Sequence, residues 1–360
     1  MTWLNAPERT NIRPSRTSSR PRVVTVGEGL AVLVAQPGPL EESETFDRTV
    51  GGAEANVATV LAQLGVDAAW LSRVGDDGFG RYLVHHLADR GVDVSAVGTD
   101  PRRPTAMYVK ERGGGSGRAT DLGERMSRML YYRTGSAASA LSQADLTAGS
   151  AARLLADCEL IHVTGITTAL SESATELTEA LITLPREGRL VSFDLNFRPA
   201  LWTGRAIAAT EILARHVRGS DVVFLGADEA LAVFGTGHAD ELRALFPEPR
   251  QLIVKNDAHT VTGFDGTQRV EVPALRLDVT ERIGAGDAFA GGYLAALLYH
   301  WPLEQRLRLG HLCAAAALTG PGDVPLLPPR PMLERLATMA ESAWAELYYS
   351  DAVGTENRAS

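Results

Sequence analysis

Residues 284–297 read Gly-Ala-Gly-Asp-Ala-Phe-Ala-Gly-Gly-Tyr-Leu-Ala-Ala-Leu, a glycine-rich turn that runs directly into an apolar helix. Glycines at a helix start let an anion approach the backbone N–H groups, and the helix dipole favours negative charge there. Asp287 either caps this helix, or faces a transferring phosphate and takes the proton of an attacking hydroxyl. Taken alone, the segment favours the cap, so other segments are needed to distinguish the two interpretations.

Short β-branched runs alternate with helical segments on both sides of this turn. The alternation predicts an α/β fold whose mainly parallel central sheet is covered by helices on both faces. Helices dominate after residue 286. The predicted strands are Val23–Val26, Ala69–Arg73, Leu160–Val163, Leu190–Asp194, Val222–Leu225 and Leu252–Lys255.

Three further predicted strands lack intervening helices, namely Thr45–Val50, Thr105–Lys110 and Met129–Arg133. Between the last two lies Arg112–Arg128, whose five glycines and four arginines predict a mobile tip. We expect a small antiparallel lid, from about residues 40–52 and 103–135, that closes over a substrate. Such lids keep water away from phosphoryl transfer.

Composition sets the class of protein. The 360 residues are 45% hydrophobic and 22% charged, which excludes extensive disorder and allows one large domain or two modest ones. Since the net charge is −9, we do not expect nucleic acid as a partner. Two distant cysteines, Cys158 and Cys313, indicate a reducing compartment. No apolar run reaches the roughly 18 residues that span a bilayer, and no secretory signal is recognisable. We expect a cytoplasmic protein.

The two ends of the chain are weakly patterned. Residues 1–21 combine four arginines with Ser, Thr, Pro and Asn, which predicts a disordered tail, with a basic interaction arm as the alternative. The folded domain is expected to span residues 22–345, and residues 346–360 are expected to form a C-terminal tail.

A second glycine segment reads Gly51-Gly52-Ala53-Glu54-Ala55-Asn56 and leads into another apolar helix. The glycines remove side chains where a ligand would touch the main chain, and Asn56 offers both a donor and an acceptor to a sugar hydroxyl. A glycine turn with Asn near a helix start is an equally good interpretation. The segment lacks the G-x-G-x-x-G spacing of dinucleotide sites, and the chain contains no P-loop.

Two more segments place charged groups where ligands bind. Asp194-Leu195-Asn196-Phe197-Arg198-Pro199 follows a buried strand, at the sheet edge that carries ligands in open α/β folds. Its alternating polar side chains are expected to point one way from an extended chain, or to form only a salt bridge. Tyr131-Tyr132-Arg133 ends a lid strand, where arginine suits a carboxylate or is merely solvated. The histidines show no metal-ligand spacing, and no G-x-S-x-G motif supports a serine hydrolase.

The order of these segments resembles that of the ribokinase-like (PfkB) sugar kinases. The resemblance rests on Gly51-Gly52 with Asn56, on Arg73-Val74-Gly75-Asp76-Asp77-Gly78-Phe79-Gly80, and on Gly284-Ala285-Gly286-Asp287. Four segments are similar to the 2-keto-3-deoxygluconate kinases of that family, namely residues 131–137, 161–167, 194–202 and 282–284. The similarity covers roughly residues 22–345. It implies a three-layer α/β/α fold with a β-flap lid, often paired in a homodimer across that lid.

The resemblance also implies roles for individual residues. Asp287 would be the general base, and Gly284, Ala285 and Gly286 would form an anion hole for the γ-phosphate. The phosphate donor would be ATP with Mg²⁺, and many members respond to K⁺. The residues implied to bind the sugar acid are Gly52, Asn56, Tyr108, Tyr131, Arg133 and Arg198.

The nucleotide side departs from the family pattern at three places. The N-x-x-E motif reads Gly226-Ala227-Asp228-Glu229, so only Glu229 remains to act on Mg²⁺ through water. The K-x-G-x-x-G loop begins at Lys255 but lacks both glycines, and the Asn found near adenine is replaced by His311. Lys255 and His311 are nevertheless expected at the nucleotide. These departures affect the predicted metal geometry and the nucleotide affinity and identity.

Arg133 and Arg198 favour an acidic substrate. Buried against a neutral sugar, two guanidinium groups would stay unpaired, at a cost on the order of several kcal/mol. We therefore expect an ATP-dependent kinase of 2-keto-3-deoxygluconate or a similar keto-deoxy sugar acid. The alternatives are a kinase of fructose, 5-dehydro-2-deoxygluconate or a nucleoside, and a sugar-acid sensor whose ATP site is weakened by Gly226, Asp257 and Thr260.

Overall fold

The computed structural model describes residues 23–124, 126–204, 206–256, 259–320 and 322–350. The predicted tail at residues 1–21 lies outside these ranges, as do Asp257 and residues 351–360. Among the helices of the described ranges, none combines the length and the apolar character needed to cross a membrane.

A nine-stranded sheet forms the centre of the molecule. All six strands predicted for the parallel sheet belong to it and pair in parallel, which confirms the predicted core. A parallel edge strand (β5) and an antiparallel hairpin (β12 and β13) were not predicted. In spatial order the strands are β13 (Gln268–Pro273), β12 (Thr260–Asp265), β11 (Gln251–Asn256), β10 (Val222–Gly226), β9 (Leu190–Asp194), β8 (Leu160–Thr164), β1 (Val23–Val26), β4 (Ala68–Gly75) and β5 (Val97–Asp100).

Helices cover both faces of this sheet, which confirms the three-layer α/β/α arrangement. The alternation of strand β10 shows why: Val222 and Phe224 pack into one apolar core, and Val223 and Leu225 pack into another on the opposite face. The helices are α1 (Ala53–Gln63), α2 (Gly78–Ala88), α3 (Gln143–Thr147), α4 (Gly149–Asp157), α5 (Gly165–Ala169), α6 (Glu172–Thr183), α7 (Ala206–Gly219), α8 (Ala227–Phe234), α9 (Ala239–Leu245), α10 (Ala285–Leu298), α11 (Leu303–Thr319), α12 (Arg330–Ala337) and α13 (Glu341–Glu346).

Helix α10 is buried on all sides from Ala288 to Leu298, because its small residues let neighbours approach closely. A Cβ added at Gly291 would lie 2.6 Å from a Val60 methyl on α1, and one at Gly292 would lie 2.8 Å from the Leu309 carbonyl oxygen on α11. The glycines that follow the Gly-Ala-Gly-Asp turn therefore fix the helix between two others, with its first turn at the end of the central sheet.

A separate four-stranded sheet corresponds to the predicted lid. Its order is β3 (Phe46–Gly51), β2 (Leu30–Pro37), β6 (Met107–Arg112) and β7 (Ser127–Tyr132). The expected purely antiparallel lid is wrong, because β2 and β6 pair in parallel. Strand β2 was also missed: it follows β1 after only Gly27, Glu28 and Gly29, a connection too short for the helix that the strand–helix alternation led us to expect.

The folded part extends beyond the predicted boundary at residue 345. Strand β15 (Tyr348–Tyr349) pairs in parallel with β14 (Arg276–Leu277), and Tyr349 is buried. The expected C-terminal tail is therefore wrong for these residues. Two adjacent aromatic residues, Tyr348 and Tyr349, indicate burial at this point of the sequence. The weakly patterned residues around them hid this indication.

Candidate active site

A single cavity of about 700 Å³ lies at the carboxyl ends of β9, β10 and β11, next to the small sheet. Every site residue predicted from the sequence lines it, although the chain spreads them over more than 250 positions. These residues are Gly52, Asn56, Tyr108, Tyr131, Arg133, Arg198, Glu229, Lys255, Gly284, Ala285, Gly286, Asp287 and His311. Their roles stay predictions.

Asp287 does not serve as the cap of helix α10. The N-cap is Gly284, whose φ of 78° is left-handed, and a Cβ there would lie 2.0 Å from the carbonyl oxygen of Asp323. The Asp287 carboxylate instead accepts hydrogen bonds from Asn56 Nδ2 at 2.9 Å and from Asn196 Nδ2 at 3.4 Å. Burial raises the pKa of Asp287 to about 6. It is thus a partly buried carboxylate, oriented by two amides beside a helix N-terminus, and this geometry is compatible with the predicted general base.

Asn56 was expected to bind a sugar hydroxyl, and the structure shows it donating to Asp287. Its Oδ1 is buried without a partner among the described residues, so this acceptor remains for a ligand. Gly52 has a φ of 124°, and a Cβ there would lie 2.4 Å from the Glu28 carbonyl oxygen. The position therefore requires glycine to let α1 begin at the cavity wall.

Lys255 lies closer to the predicted anion hole than the sequence indicated. Its Nζ donates to Asp194 Oδ2 at 2.9 Å and lies 3.6 Å from the position that a Cβ would take at Gly286. Burial disfavours its charge, but Asp194 and Glu229 hold the pKa of Lys255 above its usual value. The ammonium group is thus charged at the point where a phosphate would meet the helix N-terminus.

The small sheet contributes an aromatic and cationic wall. Tyr108 and Tyr131 lie with ring centroids 5.2 Å apart, and the Arg133 guanidinium lies 4.5 Å from the Tyr131 ring centre. Tyr108 Oη donates to Asp323 Oδ2 at 2.5 Å. Burial raises the pKa of the Tyr108 hydroxyl, so this group acts as a neutral donor. Arg133 Nη2 lies 3.2 Å from Glu28 Oε2.

The expectation that only a substrate carboxylate would neutralise the two guanidinium groups is wrong. Arg133 is paired with Glu28, and Arg198 Nη1 lies 2.6 Å from Glu229 Oε1. Glu28 reaches the cavity from the loop between β1 and β2, and Glu229 from the first turn of α8, so no sequence spacing connects them to the arginines. Glu229, expected to act on Mg²⁺ through water, is thus shared with Arg198.

The segment after β9 is not extended as expected. Asn196 has a left-handed φ of 35°, so the chain turns immediately after the strand. Asp194, Asn196 and Arg198 nevertheless all line the cavity. Left-handed conformations are several-fold enriched in Asn, and this gave a signal that the alternating pattern concealed.

Three buried acids were not predicted: Glu28 and Asp323, which line the cavity, and Glu54, which lies behind its wall at the start of α1. Glu54 Oε1 accepts from Thr164 Oγ1 at 2.8 Å and from Thr167 Oγ1 at 2.7 Å, and burial raises the pKa of Glu54 to about 7. At the start of a helix, Glu54 looked like an ordinary partner of the helix dipole. Its burial depends on strands β1 and β8 packing over it, which no local pattern shows.

The segment Arg73–Gly80, which carried part of the family resemblance, has a structural role here. Asp77 caps helix α2 by accepting from Gly80 N at 2.8 Å, and it also accepts from Thr105 N at 2.8 Å. The motif therefore ties the end of β4 to the chain that leads into β6.

The end of the cavity where the sequence predicts the nucleotide is apolar. It is lined by Val261, Leu275, Leu277 and Leu318 with His311, whose ring centroid lies 5.5 Å from that of Phe289. Burial lowers the pKa of His311 to about 4, so the imidazole is neutral, and its Nε2 has no partner among the described residues. A neutral apolar slot with one unsatisfied polar atom suits a nucleobase.

The cavity also fits the predicted metal. No cluster of three or more His, Cys, Asp or Glu able to hold a metal ion occurs within the described ranges. Mg²⁺ in kinases needs only one or two carboxylates, because phosphates and water complete its shell. Glu229 and the buried, unpartnered Asp194 Oδ1 supply these at the cavity.

Comparisons with known proteins agree with this geometry. The sequence profile described as pfkB family carbohydrate kinase matches residues 20–329. The chain is 35% identical to a 2-dehydro-3-deoxygluconokinase of Thermoproteus tenax, over 82% of this chain and 87% of the relative. It is 31% identical to a fructokinase of Klebsiella pneumoniae, over 79% and 91% of the two chains.

Solved structures show the same fold. A PfkB protein from Polaromonas sp. JS666 superposes with a TM-score of 0.75 at 31% identity, covering 87% of this chain and 98% of that one. A putative ribokinase II from E. coli in complex with ATP and Mg²⁺ gives a TM-score of 0.73 at 22% identity, over 84% and 94% of the chains.

Proposed function

The chain belongs to the pfkB family of carbohydrate kinases, and we propose that it transfers the γ-phosphate of ATP to a hydroxyl of 2-keto-3-deoxygluconate or a similar keto-deoxy sugar acid. The observation that supports the acid substrate is the position of Arg133 and Arg198 on the cavity that also holds Asp287. A 2-dehydro-3-deoxygluconokinase among the relatives supports the same substrate class.

The proposed binding site for the substrate carboxylate consists of guanidinium N–H groups that have no partner within the described protein. Arg133 Nε is buried without a partner among the described residues, and Glu28 lies near only one terminal nitrogen. The Arg198 side chain is half exposed, so its remaining nitrogens are open to the cavity. Arginine binds carboxylates through two parallel N–H groups, which these free donors permit.

The phosphate site follows from the start of α10. Asp287, oriented by Asn56 and Asn196, would take the proton of the attacking hydroxyl. The backbone amides of Gly284, Ala285 and Gly286 would receive the transferring phosphate, with the Lys255 ammonium beside them. Mg²⁺, held by ATP with Asp194 and Glu229, would neutralise charge on the phosphates. His311 would face the nucleobase.

A neutral-sugar kinase is the second candidate. The internal pairing of Arg133 with Glu28 and of Arg198 with Glu229 lets the cavity hold a sugar without a carboxylate. The fructokinase among the relatives points the same way.

A coupled assay of ADP release separates these candidates. The purified protein is supplied with ATP and Mg²⁺ and with a panel of 2-keto-3-deoxygluconate, 2-keto-3-deoxygalactonate, fructose, 5-dehydro-2-deoxygluconate and a nucleoside. We expect the highest kcat/KM on a keto-deoxy acid. A higher value on fructose or another neutral sugar would reject the proposed substrate. Calorimetric binding of a keto acid with no turnover would indicate a sensor instead.

We also propose that two copies pair through the small sheet. Phe46 on β3 and Tyr132 on β7 are large and exposed at its two edges. Light scattering should give the mass of a dimer, and Tyr132→Asp should shift it toward the monomer. A monomeric mass for the unmodified protein would reject this pairing.

A further inference from the structure

A buried ion pair connects the small sheet to the loop before helix α10. Lys110 on β6 contacts Glu281 through its Nζ and Glu281 Oε2, and their side chains are only 5% and 11% exposed. Lys110 is one of two lysines in the chain, and the other, Lys255, lies at the cavity. Neither Lys110 nor Glu281 lines that cavity.

Glu281 in turn holds the backbone that leads into the predicted anion hole. Its Oε1 accepts from Arg282 N at 2.9 Å and from Ile283 N at 3.4 Å, the two amides directly before Gly284. The Glu281 amide itself donates to the Leu318 carbonyl at 3.1 Å. One carboxylate therefore joins Lys110 to the chain that sets the direction of the first turn of α10.

Tyr108 makes a second connection between the same elements. It lies two residues before Lys110 on β6, so both side chains leave the strand on one face. Tyr108 donates to Asp323, and the Asp323 carbonyl packs against the Gly284 Cα. Strand β6, whose Tyr108 lines the cavity, is thus bound at two points to the turn that would receive the phosphate.

Stability alone explains this arrangement poorly. Replacing a buried ion pair by apolar residues is often neutral or stabilising, because the desolvation cost offsets the attraction. What such a pair does supply is one defined geometry between the groups that it joins. In this molecule the ion pair fixes the chain that leads to the amides of Gly284 to Gly286. The position of these amides decides how well they would stabilise the negative charge that develops on the phosphate in the transition state.

We propose that Lys110 is a positioning residue for phosphoryl transfer, whose ammonium fixes Glu281 and thereby the amides of Gly284 to Gly286. The role rests on the proposed anion hole. Because those amides would contact the phosphate most strongly in the transition state, loss of Lys110 should lower kcat and leave substrate binding almost unchanged.

Lys110→Met keeps the length of the side chain and removes its charge. With whichever sugar the unmodified protein phosphorylates, we expect kcat to fall about 10- to 100-fold, and KM for ATP and sugar to change by less than about threefold. Arg215→Met is the control, because Arg215 pairs with Glu179 on exposed helices that do not line the cavity. It should leave kcat unchanged.

A double variant separates the effect of losing Lys110 from the destabilisation caused by an unpaired Glu281 carboxylate. Lys110→Met with Glu281→Gln removes both charges and leaves no buried carboxylate unpaired. If Lys110 acts through Glu281, the double variant should show about the same kcat as Lys110→Met alone. Multiplying losses would mean that the two residues act independently, which would overturn the proposal.

Hydrogen–deuterium exchange tests the proposal without activity. Amides of residues 282–286 should exchange faster in Lys110→Met than in the unmodified protein and in Arg215→Met. If no sugar is phosphorylated by the unmodified protein, the proposed function fails while this exchange difference remains measurable. Unchanged exchange, or a loss of activity carried by KM instead of kcat, would overturn the positioning role.

Discussion

Asp287, the predicted general base, shows how its surroundings change the proton affinity of a single carboxylate. Its two described hydrogen bonds come from Asn56 and Asn196, on different sides of the cavity, and burial keeps its pKa near neutral pH, at about 6. A base near this value is deprotonated at neutral pH and still accepts a proton. The same residue at an exposed helix start would only complement the dipole.

Asp287→Asn tests that role. The amide is similar in size, so the melting temperature should stay within a few degrees of the unmodified protein. With no base to accept the hydroxyl proton, kcat should fall by about 10²- to 10⁴-fold. Steady-state kinetics with thermal unfolding as the control measures both. Turnover near that of the unmodified protein would reject the assignment of Asp287 as base.

Arg198→Ala tests the acceptor. If Arg198 binds a carboxylate, kcat/KM for the keto-deoxy acid should fall by about 10- to 100-fold, since charge-assisted hydrogen bonds are worth about 1.5–3 kcal/mol. Turnover of a neutral sugar should fall much less. Arg215→Ala is the control, because Arg215 forms an exposed pair with Glu179 on helices away from the cavity. Equal losses on both substrates would show that Arg198 serves the fold or the nucleotide.

At the level of elements, helix α1 and strand β8 meet over a buried acid. Glu54 at the start of α1 accepts from Thr164 and Thr167, and Gly27 passes so close that a Cβ there would lie 2.2 Å from the Glu54 Cδ. The neutral carboxyl is the form that suits this dry site, which is why the pKa of Glu54 rises to about 7.

Glu54→Gln should change how stability depends on pH. The pKa of Glu54 is raised from 4.5 in the unfolded chain to about 7 in the folded one, so the folded protein binds a proton more tightly. Its contribution to stability is present below about pH 4.5 and is lost as pH rises through about 7. The unmodified protein should therefore lose melting temperature between pH 5 and pH 8, and Glu54→Gln should lose less.

Exposed Glu44 gives the matching control. Glu44→Gln should leave the pH dependence of the melting temperature as it is in the unmodified protein. If Glu54→Gln and Glu44→Gln behave alike, Glu54 is charged in the folded state and the argument from burial fails.

The elements also show what the sequence could predict. Parallel strands buried on both faces read as continuous apolar runs, and all six were found from that pattern. Strand β2 was missed because only three residues separate it from β1, with no helix between them, and the antiparallel hairpin β12–β13 has no continuous apolar run. Site residues inside glycine-rich motifs were found, whereas Glu28 and Asp323 reach the cavity only through tertiary packing.

At the scale of the whole molecule, the last described strand packs against a segment that lies about 70 residues earlier in the chain. Strand β15 pairs with β14, whose Leu277 lines the apolar end of the cavity. The last described strand therefore supports a wall of the site from outside.

Tyr349→Ser tests this packing. Tyr349 is 3% exposed and its neighbour Tyr348 is 49% exposed, so the two positions form a matched pair. Loss of a buried aromatic ring should lower the free energy of unfolding by about 2–4 kcal/mol, whereas Tyr348→Ser should cost much less. Urea unfolding curves give both values. Equal effects would mean that β15 does not hold Tyr349 in the core.

Only Gly27, Glu28 and Gly29 join β1 of the large sheet to β2 of the small one, and none of the three is free to adjust alone. A Cβ at Gly27 would collide with Glu54, Glu28 forms an ion pair with Arg133, and a Cβ at Gly29 would collide with Trp70. A rotation of the small sheet about this joint would therefore move Glu28 and with it Arg133. It would also change the packing of Gly27 against Glu54. Opening of the cavity and loss of the contacts that Arg133 would make with a sugar would then occur together.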